Sequence, residues 1–189
     1  MNFSKTDACR ILSTFDLAPR TAQIAQHWLS LWDGDRCPGR ASILPANIKT
    51  LLPGLILFRV TPNRSVTVRM AGTSFYPMLQ LELTGKDWLA HTPDADRHTR
   101  LAVFSDVANG AIAVGRWIFH PGTLREVRCE KLLLPLSPAP GDDGIPVLGF
   151  VDWMGGAGSH DVDLKQIPLP RILGEFSTAV SGNAREEGR

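Results

Sequence analysis

The sequence has no two cysteines close enough to act together. Cys9, Cys37 and Cys129 are odd in number, far apart and without a CxxC spacing. That excludes a disulfide framework and a thiolate zinc knuckle, and isolated thiols suit a reducing cytoplasm. Charge of one sign is also missing. With 20 Lys and Arg against 19 Asp and Glu, the formal net charge is +1, so no large basic face for nucleic acid is expected. Long apolar runs are absent as well. Residues 132–134 and 147–151 are strand-sized and too short to span a bilayer. The first twenty residues carry Lys5, Asp7 and Arg10 where a secretory signal needs an apolar core. A cytoplasmic chain with no membrane and no nucleic-acid partner is expected.

What is present is ordinary globular material. The 189 residues, 43% hydrophobic and 21% charged, fit one domain with extra terminal elements. A chain of this length buries roughly 70% of its unfolded surface, so a proper core forms without metal or disulfide.

Periodicity divides the chain. Ile24, Trp28, Leu31 and Trp32 recur at helical steps and predict an amphipathic helix over 21–33, with Thr21 as its N-cap and Gly34 as its stop. A short helical piece runs from Pro45 towards Leu52. The period then changes to that of strands: 55–60 is almost continuously apolar, and Val66, Val68 and Met70 alternate with Thr67 and Arg69. Short helices carry Phe75, Met78 and Leu79. A longer helix is predicted over 93–109, with Thr92 as cap, Leu101, Phe104 and Ala108 as its stripe, and Asn109-Gly110 as its end. Strands follow at 112–119, 126–136 and 147–153, with a turn at 120–123 and a loop at 137–146. After the glycines at 155–158, Leu169, Leu173, Phe176 and Val180 suggest a last helix.

The fold class is therefore α+β: a five-stranded antiparallel sheet with helices, an N-terminal covering helix and a C-terminal helical tail. Trp117, Ile118 and Phe119 are consecutive, as are Leu132, Leu133 and Leu134. A strand with one wet face alternates, so these runs predict a sheet covered on both faces. The domain reading is a leader at 1–20, the core with its N-terminal helix at 21–154, and a linker with helical tail at 155–189.

This element order resembles that of PAS domains. Several stretches are similar to a bacterial, chiefly alphaproteobacterial, family of short single-PAS-domain proteins. They are the helix of Trp28, Arg40 and Pro45 before Leu51-Leu52-Pro53, Arg69-Met70-Ala71-Gly72-Thr73, Leu83-Thr84-Gly85 leading to Trp88, and Val151-Asp152-Trp153. The resemblance covers residues 21–154 and implies a sensory or protein-interaction role, often with dimerisation through a helix ahead of the core. No kinase, cyclase or DNA-binding segment is expected after residue 154, so the signal would pass to a partner protein in trans.

Within that frame, Phe75, Tyr76, Trp88, Phe104 and Trp117 are candidates to line a small-ligand cavity. Arg69 would be its contact for a carboxylate or phosphate, or else pair with Glu126 or Glu130. The opposing reading makes these aromatics plain core. His98 is the position to inspect for a haem ligand, but it lies at the flank of its helix stripe, and no haem is expected. Residues 72–83 lack the cysteine a flavin photoreceptor needs. Ile24, Trp28, Leu31 and Trp32 are candidates for a homodimer seam as well as for sheet cover.

No metal site and no catalytic residue is predicted. Ser159-His160-Asp161 are consecutive and diverge along the chain rather than converging as a triad. The glycines at 155–158 precede no P-loop lysine. Three readings stand: a PAS sensor acting through a partner protein with or without a small ligand, a ligand-free structural dimerisation module, and a small enzyme.

Overall fold

The computed structural model describes residues 3–62, 65–79, 81–92, 94–119, 127–154 and 173–179, with backbone alone at 91, 117–119, 127, 154 and 173–179. The segment read as a leader contains a helix. α1 (Lys5–Leu12) opens on a reciprocal cap: Asp7 N–H donates to Ser4 Oγ at 3.1 Å, and Ser4 N–H donates to the Asp7 carboxylate at 3.3 Å. Its buried residues Ala8, Ile11 and Leu12 follow the helical period.

α2 (Pro19–Ser30) begins ahead of the predicted start. Its N-cap is Ala18, and Pro19 occupies the first turn, where its fixed φ suits the helix and its missing N–H costs nothing. Thr21 is therefore not the cap. It lies within the helix, fully buried, with no hydrogen-bond partner for its hydroxyl among the described residues.

The five predicted strands are all present. β1 (Leu55–Val60) and β2 (Val66–Ala71) pair as a hairpin, then come α3 (Phe75–Leu79) and α4 (Asp94–Ala108), then β3 (Ile112–Phe119), β4 (Val127–Pro135) and β5 (Ile145–Met154). α4 ends as its sequence indicates: Gly110 takes φ 108°, which a side chain disfavours, and Ala111 N–H closes on the Asp106 carbonyl at 2.9 Å. Neighbours pair antiparallel in the order β2-β1-β5-β4-β3. β5 returns to lie beside β1, with Leu55 opposite Phe150 and Val60 opposite Ile145.

The predicted C-terminal helix requires correction. Residues 173–179 form a sixth strand, β6 (Leu173–Ala179), antiparallel to β3 with Ile112 opposite Ala179 and Ile118 opposite Leu173. Two physical reasons favour the strand: Gly174 weakens a helix interior, and β3 would otherwise present an open row of backbone donors and acceptors. Leu169 and Val180 lie outside the described residues, as do the turn at 120–123 and the glycines at 155–158.

Both faces of the sheet are covered, by two separate cores. On one side α3 and α4 enclose Ile56, Phe58, Val66, Val68, Phe75, Val103, Phe104, Val107, Leu133 and Val151. On the other, α1 and α2 enclose Ile24, Trp28, Trp32, Leu55, Leu57, Leu132, Leu134, Leu148 and Phe150. Strand alternation explains why Leu132, Leu133 and Leu134 are all buried: the outer two face the N-terminal helices and the middle one faces α4. Trp28 is wholly buried and Trp32 is 6% exposed, with their rings edge-to-face at 5.3 Å. Ile24 is also fully buried. Ile24, Trp28 and Trp32 thus serve as intramolecular cover for the sheet. Leu31 is half-buried.

Candidate functional site

The side of the sheet under α3 and α4 holds an aromatic cluster. Phe58 on β1 packs edge-to-face on Phe104 of α4 at 4.8 Å and on Trp88 at 5.4 Å. Trp88 opens a single tight turn whose start is capped by the Asp87 carboxylate, which accepts from Leu89 N–H at 3.0 Å. Phe75 meets Trp153 of β5 at 5.9 Å, and Trp153 Nε1–H donates to Ser74 Oγ at 3.1 Å. Gly149 makes this packing possible, since a Cβ there would sit 2.6 Å from Ile56 Cγ2 and 2.8 Å from Phe58 Cε2.

Two cations lie inside this apolar side. Lys131 on β4 is 7% exposed, and its Nζ stands 5.5 Å from the centroid of Phe104. Arg100 on α4 is 8% exposed, and its Nε is buried without a hydrogen-bond partner among the described residues. Burial, followed by the positive charge of Arg100, pulls the Lys131 ammonium down to about 7. Burial also lowers Arg100, against the opposing charge of Asp96. The residues opposite Lys131 are Gly115 on β3, which adds no side chain, and Val151 on β5, which adds no charge.

One residue earlier, the sheet carries a polar row that faces the N-terminal helices. Glu130 is fully buried; it accepts from Arg116 Nε at 2.6 Å and from Ala18 N–H at 2.8 Å, beside the positive end of α2. Its cross-strand neighbour Asp152 accepts from Arg20 Nη1 at 3.2 Å, while Arg20 Nη2 reaches the Thr50 carbonyl at 3.0 Å. Arg116 also donates to the carbonyl of Asp16. The row Arg116–Glu130–Asp152 therefore ties the entry to α2 onto three adjacent strands.

Of the candidates named from sequence, the structure brings together Phe75, Trp88 and Phe104, all in the α3/α4 core. Arg69 does not join them. It is exposed, and alternation turns it away from Val66 and Val68, whose side chains enter that core. Nor does it pair with Glu130, which Arg116 occupies. Tyr76 is 57% exposed, on the outside of α3 rather than in a lining. His98 is exposed on α4. The Trp117 side chain, Glu126 and Ser159-His160-Asp161 lie outside what is described.

Sequence reasoning passed over Lys131 and Arg100, though both carried a signal. Counting by twos from Leu133 puts Lys131 and Cys129 on the α4 side. The helix stripe runs through Arg100, Val103, Phe104, Val107 and Ala108; Leu101, taken as part of it, is only partly buried.

Residues 17–151 match the family described as PAS domain, a span covering well over half of the 189 residues. No curated protein matches the chain. The antiparallel order of β1 to β5, with helices on the α4 side and the family match over the same segment, makes this chain a member of the PAS domain family.

Proposed function

We propose that this PAS domain is a cytoplasmic sensory module of the short bacterial kind, acting without catalysis through protein–protein contact. In this reading a small molecule on the α4 side of the sheet biases the packing of α1 and α2 on the other. The population of arrangements then read by a partner protein shifts accordingly. The observation that supports it is the succession Glu130–Lys131 on β4. Glu130 holds the Ala18 N–H under the N-terminal helices at 2.8 Å, and the next side chain, Lys131, enters the α4 core. A displacement of this strand is felt on both faces at once. The chain is also proposed to act as a homodimer, through surface other than the buried residues of α2.

The test is amide hydrogen exchange over residues 5–30 in the wild type and in Lys131→Met. Altered protection there, from a substitution facing the opposite side, is the expected result. Identical protection contradicts transmission across the sheet.

A ligand-free dimerisation module is the second reading, favoured by the close ring contacts of Phe58 with Phe104 and Trp88 at 4.8 and 5.4 Å. Native mass spectrometry of freshly purified protein separates the two. A retained small molecule supports the sensor, and a bare chain mass supports the module.

A further inference from the structure

We propose that β6 is a strap whose docking on β3 is coupled to the seating of α2, through a row of charged residues that crosses four adjacent strands. Release of this C-terminal strand loosens the entry to α2, with or without a small molecule on the α4 side.

The register of β6 on β3 sets Glu175 opposite Arg116. The same row continues through Glu130 on β4 to Asp152 on β5, where Arg20 of α2 closes it at 3.2 Å. Residues directly opposite in antiparallel strands share a sheet face, so Glu175 belongs to the α2 side by position. The pairs flanking it are selective too. Gly115 stands opposite Phe176 and Gly174 opposite Trp117, so the glycine of each strand is set against an aromatic residue of the other. A slip of one residue would break the charged pair and both glycine–aromatic pairs together. The β3 edge therefore recognises this segment in one register.

Arg116 is the joint of the row. Glu130 is fully buried, and its two oxygens are used by Arg116 Nε at 2.6 Å and by Ala18 N–H at 2.8 Å. Losing either contact leaves a buried charge short of a partner, so the two hold or fail together. Arg116 itself has a side chain 54% exposed, and it also donates to the Asp16 carbonyl just ahead of Ala18. With β6 docked, Arg116 lies on an interior strand between two acids. With β6 released it sits on a bare edge, where water and salt weaken its hold on Glu130. Among the described residues β6 has β3 as its one strand neighbour. At the opposite edge β2 is held further, by Val68 N–H on the Lys86 carbonyl at 2.9 Å and Gly85 N–H on the Val68 carbonyl at 2.8 Å. β6 is thus the edge that opens at less cost.

The experiment follows amide hydrogen exchange of the full chain over residues 173–179, 18–30 and 94–108. Wild type is compared with Glu175→Lys, Ser177→Pro and Arg20→Gln. Glu175→Lys sets two cations opposite each other, and Ser177→Pro puts a proline into the ladder. Both are expected to release 173–179 and to speed exchange over 18–30 by at least about fivefold, leaving 94–108 unmoved. Coupling between two sites is reciprocal, so Arg20→Gln should speed exchange over 173–179 by a similar factor. Unprotected amides over 173–179 in the wild type overturn the strap. Retained protection there in both strand variants overturns the register. A released strand with residues 18–30 unchanged overturns the coupling. Equal acceleration over 18–30 and 94–108 is a general loss of stability, and it overturns the charged row as the route.

Discussion

Trp28 Nε1–H donates to the carbonyl of Pro135 at 3.0 Å, joining the last turn of α2 to the last residue of β4 across the N-terminal core. The indole fills its site completely and uses its single polar group, so it acts as a rivet for the N-terminal helices. This contact explains why a helix ahead of the PAS core is part of the fold rather than an appendage.

Truncating that rivet should be severe. Trp28→Ala is expected to destabilise the chain by about 3–5 kcal/mol, from lost burial plus the cavity left behind. Trp28→Phe should cost less, because the Pro135 carbonyl still accepts from Cys37 Sγ at 3.4 Å. Urea unfolding measures both. Loss of a dimer with no loss of chain stability would return Trp28 to an intermolecular role.

The glycine at 149 is required by the approach of Ile56 and Phe58. A methyl group placed 2.6 Å from Ile56 Cγ2 forces β1 and β5 apart or the Phe58 ring aside. Gly149→Ala should lower stability by about 1–3 kcal/mol and depress the thermal midpoint. An unchanged midpoint would mean that the α4 core has slack the packing does not show.

Lys131 makes stability depend on pH. Its folded-state value of about 7 lies below the ordinary 10.5. Between these values the unfolded chain binds a proton that the folded chain does not, so unfolding free energy rises as pH increases through the window. Below about 7 both states are protonated and this contribution is flat at its least favourable level. The described groups facing Lys131 are Arg100, with Asp96 beside it on α4, and Cys129 on β4. Burial and the Asp152 charge push the Cys129 thiol up to about 12, above the window. Urea unfolding should show a gain of about 2–3 kcal/mol from pH 7 to pH 9, absent in Lys131→Met. A gain that persists in the variant assigns it to another group.

Much of this fold was legible in the chain because its periods are clean. The alternation of Val66 and Val68, the run at 132–134, and the Asn109-Gly110 stop each reflect a local rule that tertiary packing did not override. The sheet covered on both faces followed from the run of Leu132, Leu133 and Leu134. α1 was missed because its signal is a single capping pair, Ser4 and Asp7, set among charges. β6 was read as a helix because the spacing of Leu173 and Phe176 suits a helix, and only the open edge of β3 decides otherwise. The site was less legible. Arg69 attracted attention as the charged member of an alternating strand, but alternation is what turns it outward. Lys131, in an apolar run, is turned inward by the same rule.

The central claim is that the two cores act on each other through β4 and β5. A double-mutant cycle tests it most directly, pairing Arg20→Met on the N-terminal side, where Arg20 holds Asp152 at 3.2 Å, with Arg100→Met beneath α4. The account predicts that the two stability changes depart from additivity by about 1 kcal/mol. Changes that simply sum, within about 0.3 kcal/mol, would contradict it.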